Sequence, residues 1–166
     1  YMQRAYDDNA FPIICNQTIS QPKTIADMLA FLELKQGNKV LEIGAGSGYN
    51  AALIANIIGS KGIVYSVEIN KEVYEFAKEN IAKAGIKNVK IIMGDGSLGY
   101  RREQPYDRII VTAACPRVLD SWIRQLKDNG VLVAPVGKEY QKMNKARKNG
   151  KKIIQEEGKG EYLFVP

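Results

Sequence analysis

The spacing of hydrophobic positions along this chain changes period repeatedly. From residue 20 to 136, apolar residues three and four apart alternate with short Val- and Ile-rich runs, which predicts a parallel sheet with helices on both faces. Pro22 suits the first turn of a helix, after which Ile25, Met28, Leu29 and Leu32 share one side. A strand at Lys39 to Ile43 leads to a second helix from about Tyr49 to Ile58, with Leu53, Ile54, Ile57 and Ile58 inward and Gly59 as its stop. Gly62 to Val67 reads as the next strand. Asn70 is placed to cap a third helix through Ala84, burying Val73, Phe76, Ala77 and Ile81 and ending at Gly85. Val89 to Met93 and Tyr106 to Thr112 are further strands. Leu119, Trp122, Ile123 and Leu126 predict a short fourth helix closed near Gly130, ahead of a strand at Val131 to Val136. Asn149-Gly150, between two extended basic stretches, predicts a tight hairpin.

At 166 residues the pattern calls for one domain spanning 1–166, and 45% hydrophobic with 25% charged residues is a globular balance rather than a disordered one. The apolar run Ala51 to Ile58 is broken by Asn56, far short of the ~18 residues a membrane span needs. With no signal-peptide pattern and only Cys15 and Cys115 as thiols, a cytoplasmic protein without a disulfide framework or metal site is expected. The net charge of +6 is concentrated near the C-terminus, in Lys138, Lys142, Lys145, Arg147, Lys148, Lys151 and Lys152. That run fits a solvated hairpin or an RNA-binding face.

Candidate chemistry gathers where the strands end. In an open parallel sheet, ligands bind outside the carboxyl ends of the strands. Here those ends are Gly44, Glu68, the Gly94-Asp95-Gly96 turn and Thr112-Ala113-Ala114. Glycines at 44, 46 and 48 permit a sharp turn and close approach of a flat ligand. Glu68 can accept from a ribose diol, and Asp95 with Gly96 would lie near an adenine. A dinucleotide fingerprint would need glycine at 49, but that residue is Tyr49. The Gly-x-Gly-x-Gly form that remains resembles S-adenosylmethionine-dependent methyltransferases.

The chain contains no histidine. This removes the commonest general base and excludes Ser-His and Cys-His nucleophilic arrangements. A methyl acceptor that needs no base fits better: a carboxylate, with a reference pKa of about 4, is already ionised at neutral pH.

Gln17-Thr18-Ile19-Ser20-Gln21-Pro22 adds a more specific signal. Together with Val40-Leu41-Glu42-Ile43-Gly44-Ala45-Gly46-Ser47-Gly48-Tyr49, Gly94-Asp95-Gly96, Pro105-Tyr106-Asp107, Val111-Thr112-Ala113-Ala114, Pro135-Val136-Gly137 and Phe164-Val165-Pro166, it closely resembles the protein-L-isoaspartate O-methyltransferase family. The resemblance implies a Rossmann-like α/β fold with a mostly parallel sheet and an antiparallel C-terminal hairpin. It implies methyl transfer from S-adenosylmethionine, with S-adenosylhomocysteine as product, to the free carboxylate of L-isoaspartyl residues in damaged proteins and peptides. On the family's pattern Ser20 is the active-site serine. Thr18, Ile19, Gly44, Ala45, Gly46, Gly48, Glu68, Asp95 and Gly96 hold the cofactor, and Val111, Thr112, Ala113 and Ala114 line the peptide channel.

Ser20 has one hydroxyl donor and no charge, so it can orient a carboxylate but cannot act as a base. Ser20 or Gln21 can equally cap the helix at Pro22. Two departures from the family stand out. Ile14-Cys15-Asn16 occupies the place of the family's Gly-His-Gly, and because the chain begins at Tyr1, about twenty residues before Ser20, a fragment or a relative lacking the family's N-terminal helical segment is expected. Two other functions therefore stand beside protein repair: an RNA methyltransferase using the basic run, and a non-catalytic S-adenosylmethionine-binding relative.

Overall fold

A seven-stranded sheet organises the computed structural model, which describes Arg4 and residues 7–165. Tyr1 and Pro166 lie outside the described residues. A two-stranded antiparallel ribbon comes first, β1 (Phe11–Pro12) with β2 (Thr18–Ile19). Then follow α1 (Pro22–Leu32), β3 (Lys39–Ile43), α2 (Tyr49–Ile58), β4 (Ile63–Glu68), α3 (Lys71–Lys83), β5 (Val89–Met93) and β6 (Tyr106–Val111). The chain continues through α4 (Asp120–Gln125), β7 (Leu126–Val136), β8 (Gln141–Asn149) and β9 (Lys152–Tyr162). The sheet order is β5-β4-β3-β6-β7-β8-β9, parallel as far as β7 and antiparallel beyond it.

Because side chains alternate across a strand, the continuous apolar runs supply two cores. Val40, Val64, Ile110, Val131 and Val133 pack with Met28 and Leu32 of α1, Ile54 and Ile58 of α2, and Ile81 of α3. Leu41, Ile43, Tyr65, Val67, Ile109, Val111 and Leu132 pack with Trp122 of α4 and with Leu126 at the start of β7. Each fully buried Val, Leu or Ile side chain contributes roughly 1.5–3 kcal/mol, so the strands crossing both cores anchor the fold.

Local signals placed most elements. Asn70 caps α3 as expected, its side chain accepting from Glu72 N at 2.9 Å and Val73 N at 3.2 Å. In α2 the buried positions are Ala51, Ile54, Ala55 and Ile58, while Ile57, expected inward, is 43% exposed. The larger correction concerns the fourth helix, which ends at Gln125 rather than near Gly130. Leu126 already pairs with Tyr106, and Val131 with Arg108, so residues 127–130 bulge out of β7. Burial of Leu126 between sheet and helix outweighs one more helical turn.

The hairpin at the C-terminus forms as predicted, although Asn149 pairs with Lys152, so the two turn residues are Gly150 and Lys151. Among the described residues, three of the seven cations of its basic run form ion pairs within the molecule. Lys142 pairs with Glu157, Lys145 with Glu33 and Glu156, and Arg147 with Glu33. Lys148 Nζ donates to the carbonyls of Ile123 and Leu126. Glu33 closes α1 in a left-handed conformation, and its carbonyl accepts Arg108 Nε at 3.0 Å and Nη2 at 2.8 Å. The cations Arg147 and Lys145 hold its carboxyl down to about 2. Among the described residues, no helix is long and apolar enough to cross a membrane.

Candidate active site

The carboxyl ends of β3, β4, β5 and β6 open into a cavity of about 480 Å³. That volume is within the range of small-ligand sites. Thr18, Ile19, Ser20, Gly44, Ala45, Gly46, Glu68, Asp95, Gly96, Val111, Thr112, Ala113 and Ala114 all line it. Their convergence follows from topology: the parallel strands deliver their C-terminal turns to one edge, and the β1–β2 ribbon folds Thr18 to Ser20 over it.

Gly48 is the exception among the predicted residues. It starts α2 at φ 82°, and a Cβ there would come 3.1 Å from Ile81 Cγ1 and 3.2 Å from the Ala77 carbonyl oxygen. It therefore permits α2 to approach α3, away from the cavity wall. Gly46 is the opposite case, since a Cβ added at it would meet nothing within 4 Å and would project into open space. The bare turn there leaves room for a ligand against the backbone.

Glu68 does more than present an acceptor. Its Oε2 accepts the N–H groups of Ala45 at 3.1 Å and Gly46 at 3.2 Å, and its Oε1 accepts that of Asn70 at 3.0 Å. One carboxylate thus ties the glycine turn to the start of α3. Thr112 ties the same turn to β6, its Oγ1 lying 2.8 and 2.6 Å from the carbonyl oxygens of Ile43 and Gly44. Asp95 Oδ1 accepts from Ser97 N at 2.9 Å.

Below the turn sits Glu42, fully buried, accepting from Asn50 Nδ2 at 2.7 Å and from Ser66 Oγ. Burial pushes its carboxyl up to about 7, against the lowering effect of those two hydrogen bonds. Asn50 also lines the cavity. Neither Glu42 nor Asn50 stood among the predicted site residues; the signal was a charge inside an otherwise apolar strand, which burial makes costly unless it is satisfied.

Ser20 lies at the junction of two cavities. A second, of about 510 Å³, is lined by Thr18, Ser20, Lys23, Thr112, Tyr162 and Val165 among others. Ser20, Thr18, Thr112 and Val165 therefore face both spaces. The capping alternative for Ser20 and Gln21 fails: Gln21 is the N-cap residue of α1 but makes no side-chain cap bond, and Asp8 Oδ1 takes the Lys23 N–H instead. Among the described residues the Ser20 hydroxyl has no hydrogen-bond partner.

Before the ribbon's second strand, Cys15 and Asn16 adopt φ values of 55° and 56°. The left-handed turn survives without glycine. Cys15 Sγ donates to Glu72 Oε2 at 3.0 Å, pinning the turn to α3, and that hydrogen bond leads the causes that raise the thiol's pKa.

The family model of protein-L-isoaspartate(D-aspartate) O-methyltransferase matches residues 1–166. The chain belongs to that family. Protein-L-isoaspartate O-methyltransferase of Methanosarcina mazei is 45% identical over 167 aligned residues, which cover 100% of this chain and 69% of the relative. The Pyrococcus horikoshii protein of the same name is 46% identical, with 76% of its length covered. Among solved structures, a protein-L-isoaspartate O-methyltransferase superimposes with a TM-score of 0.92 at 33% identity. The match takes in 99% of this chain and 54% of that one, so the chain spans about half the length of that structure. A Plasmodium falciparum chain described as a protein-L-isoaspartate O-methyltransferase, solved in complex with S-adenosyl-L-homocysteine, gives a TM-score of 0.82 at 25% identity. It covers 96% of this chain and 80% of its own length. The protein-L-isoaspartate O-methyltransferase family is S-adenosylmethionine-dependent, and the cavity lies outside the carboxyl ends of the strands, where open α/β sheets bind ligands.

Proposed function

We propose that this chain transfers a methyl group from S-adenosylmethionine to the free α-carboxylate of L-isoaspartyl residues in damaged proteins and peptides. The observation that carries this reading is the junction at Ser20 and Thr112, where a cavity built on the glycine turn opens beside a second cavity. A donor and an acceptor can thus meet from opposite sides.

The residues present fit the cofactor. Open space over Gly46 leaves room for its methionine portion, Glu68 offers its remaining lone pairs to the ribose diol, and the Asp95-Gly96 turn receives the adenine. When bound, the sulfonium supplies an activated methyl group, which an ionised carboxylate accepts by in-line displacement without a general base. The absence of histidine is no handicap for such an acceptor. Ser20 donates a hydrogen bond to one carboxylate oxygen and leaves the other free to attack. Thr112, already committed to the carbonyls of Ile43 and Gly44, holds the Val111–Ala114 wall against the glycine turn. The two free cysteines suit a reducing compartment, and we assign the protein to the cytoplasm on that basis.

The test offers labelled S-adenosylmethionine with an isoaspartyl peptide, its aspartyl twin and bulk RNA, and examines the product for a base-labile methyl ester. Labelling of the isoaspartyl peptide alone is expected. Equal labelling of the two peptides, or label confined to RNA, would overturn the reading.

A further inference from the structure

The short helix α4 carries three polar side chains that the reaction itself does not call for. Ser121, Trp122 and Gln125 share one side of it, and each donates to a different carbonyl of the turn after Asp95. Trp122 Nε1 donates to Gly96 O at 2.8 Å, Ser121 Oγ to Ser97 O, and Gln125 Nε2 to Leu98 O at 2.7 Å. Gln125 Oε1 in turn accepts Tyr100 N at 2.8 Å. Three consecutive carbonyls are thus fixed by side chains of one helix rather than by the turn alone.

The Gly96–Ser97 peptide unit shows what this fixing controls. A peptide group is planar, so the direction of its carbonyl sets the direction of its N–H. Its carbonyl is held by the Trp122 indole, and its N–H is held by Asp95 Oδ1 at 2.9 Å. The plane therefore links a buried tryptophan, 2% exposed, to a carboxylate on the cavity wall. Rotation of that plane would break a hydrogen bond of a buried indole N–H and release the carboxylate together.

We propose that Trp122, with Ser121 and Gln125, is a positioning residue that aims the Asp95 carboxylate and so sets selectivity for a purine carrying an exocyclic amino group. An amino group donates to a fixed carboxylate, whereas an oxo group in its place repels it. The inference rests on the cofactor reading above, and its test separates the two.

Affinities for S-adenosylhomocysteine and for its inosine counterpart, S-inosylhomocysteine, are measured by calorimetry on the wild type, Trp122→Phe and Ser121→Ala. The wild type should favour the adenosine compound. Trp122→Phe, which keeps a ring but lacks the N–H, should narrow that ratio about fivefold, the worth of one hydrogen bond. Ser121→Ala, at a half-buried position outside the core, should narrow it about twofold while the melting temperature stays put. The second variant decides the matter should the first fail to fold. A purely structural role would weaken both ligands equally. An unchanged ratio in variants that still bind S-adenosylhomocysteine would overturn the positioning role and leave the proposed function intact. A wild type that binds neither compound would overturn the cofactor reading and this inference with it.

Discussion

Asp8 Oδ1 accepts the backbone N–H of Lys23 at 2.9 Å, so the first turn of α1 is capped from fifteen residues upstream. The consequence falls on Ser20. A serine just ahead of a helix ordinarily spends its hydroxyl on that cap. Here no cap engages the hydroxyl, and Ser20 lines both cavities.

Stability and activity should therefore separate between these two residues. Asp8→Ala should cost about 1 kcal/mol of unfolding free energy by removing the cap, with methyl transfer retained. Ser20→Ala should leave the melting temperature within about a degree and lower kcat by about 10- to 100-fold, the range for losing one oriented contact to the reacting group. S-adenosylhomocysteine affinity should be unchanged. Denaturant melts and single-turnover kinetics on both variants check the division; equal loss of stability in the two would return Ser20 to a capping role.

Glu42 should make the protein less stable as the pH rises. Its folded pKa, about 7, lies above the ordinary 4.5, so its contribution is fully present below 4.5 and is lost through 7. Glu42→Gln, which stays neutral, should be more stable than wild type at pH 8 by up to about 3 kcal/mol, the gap closing towards pH 4.5. Melting temperatures across that window measure it. A gap independent of pH would show that burial does not raise this carboxyl.

Glu33 acts with the opposite sign. Its folded pKa of about 2 lies below the ordinary 4.5, so its stabilising pairs with Arg147 and Lys145 are present above 4.5 and fade as the pH falls towards 2. Its side chain is 38% exposed and screened by solvent, so Glu33→Gln should cost only about 1 kcal/mol at pH 7. The cost should shrink in acid and in high salt. A pH-independent difference would assign the effect to packing.

Trp122 is the chain's single tryptophan, and it lines the cavity wall. Its emission should change saturably when S-adenosylhomocysteine is added, with a midpoint matching calorimetry. Homocysteine alone, which lacks the purine, should leave the spectrum unaltered. Equal responses to both would place the nucleoside elsewhere.

Much of this architecture was legible in the chain. Val40 to Ile43, Ile63 to Val67 and Ile109 to Val111 are strands because short, mostly apolar runs rich in Val and Ile suit a sheet buried on both faces, and Asn70 starts a helix because its side chain meets backbone two and three residues on. The glycine turn, Glu68 and Asp95 could be placed at one edge for a similar reason, since parallel strands put their ends together. Such features depend on neighbours in sequence or on a rule of topology.

Only the tertiary structure decided the rest. It turned Gly48 towards α3, ended α4 at Gln125, capped α1 from Asp8 and matched the basic hairpin with Glu33, Glu156 and Glu157. It also placed Trp122 against Gly96, 26 residues earlier. Each of these is a contact between segments distant in sequence. Periodicity and local propensity report which face a residue turns to the core, but not which partner awaits it there, because partner choice depends on how all the elements pack at once.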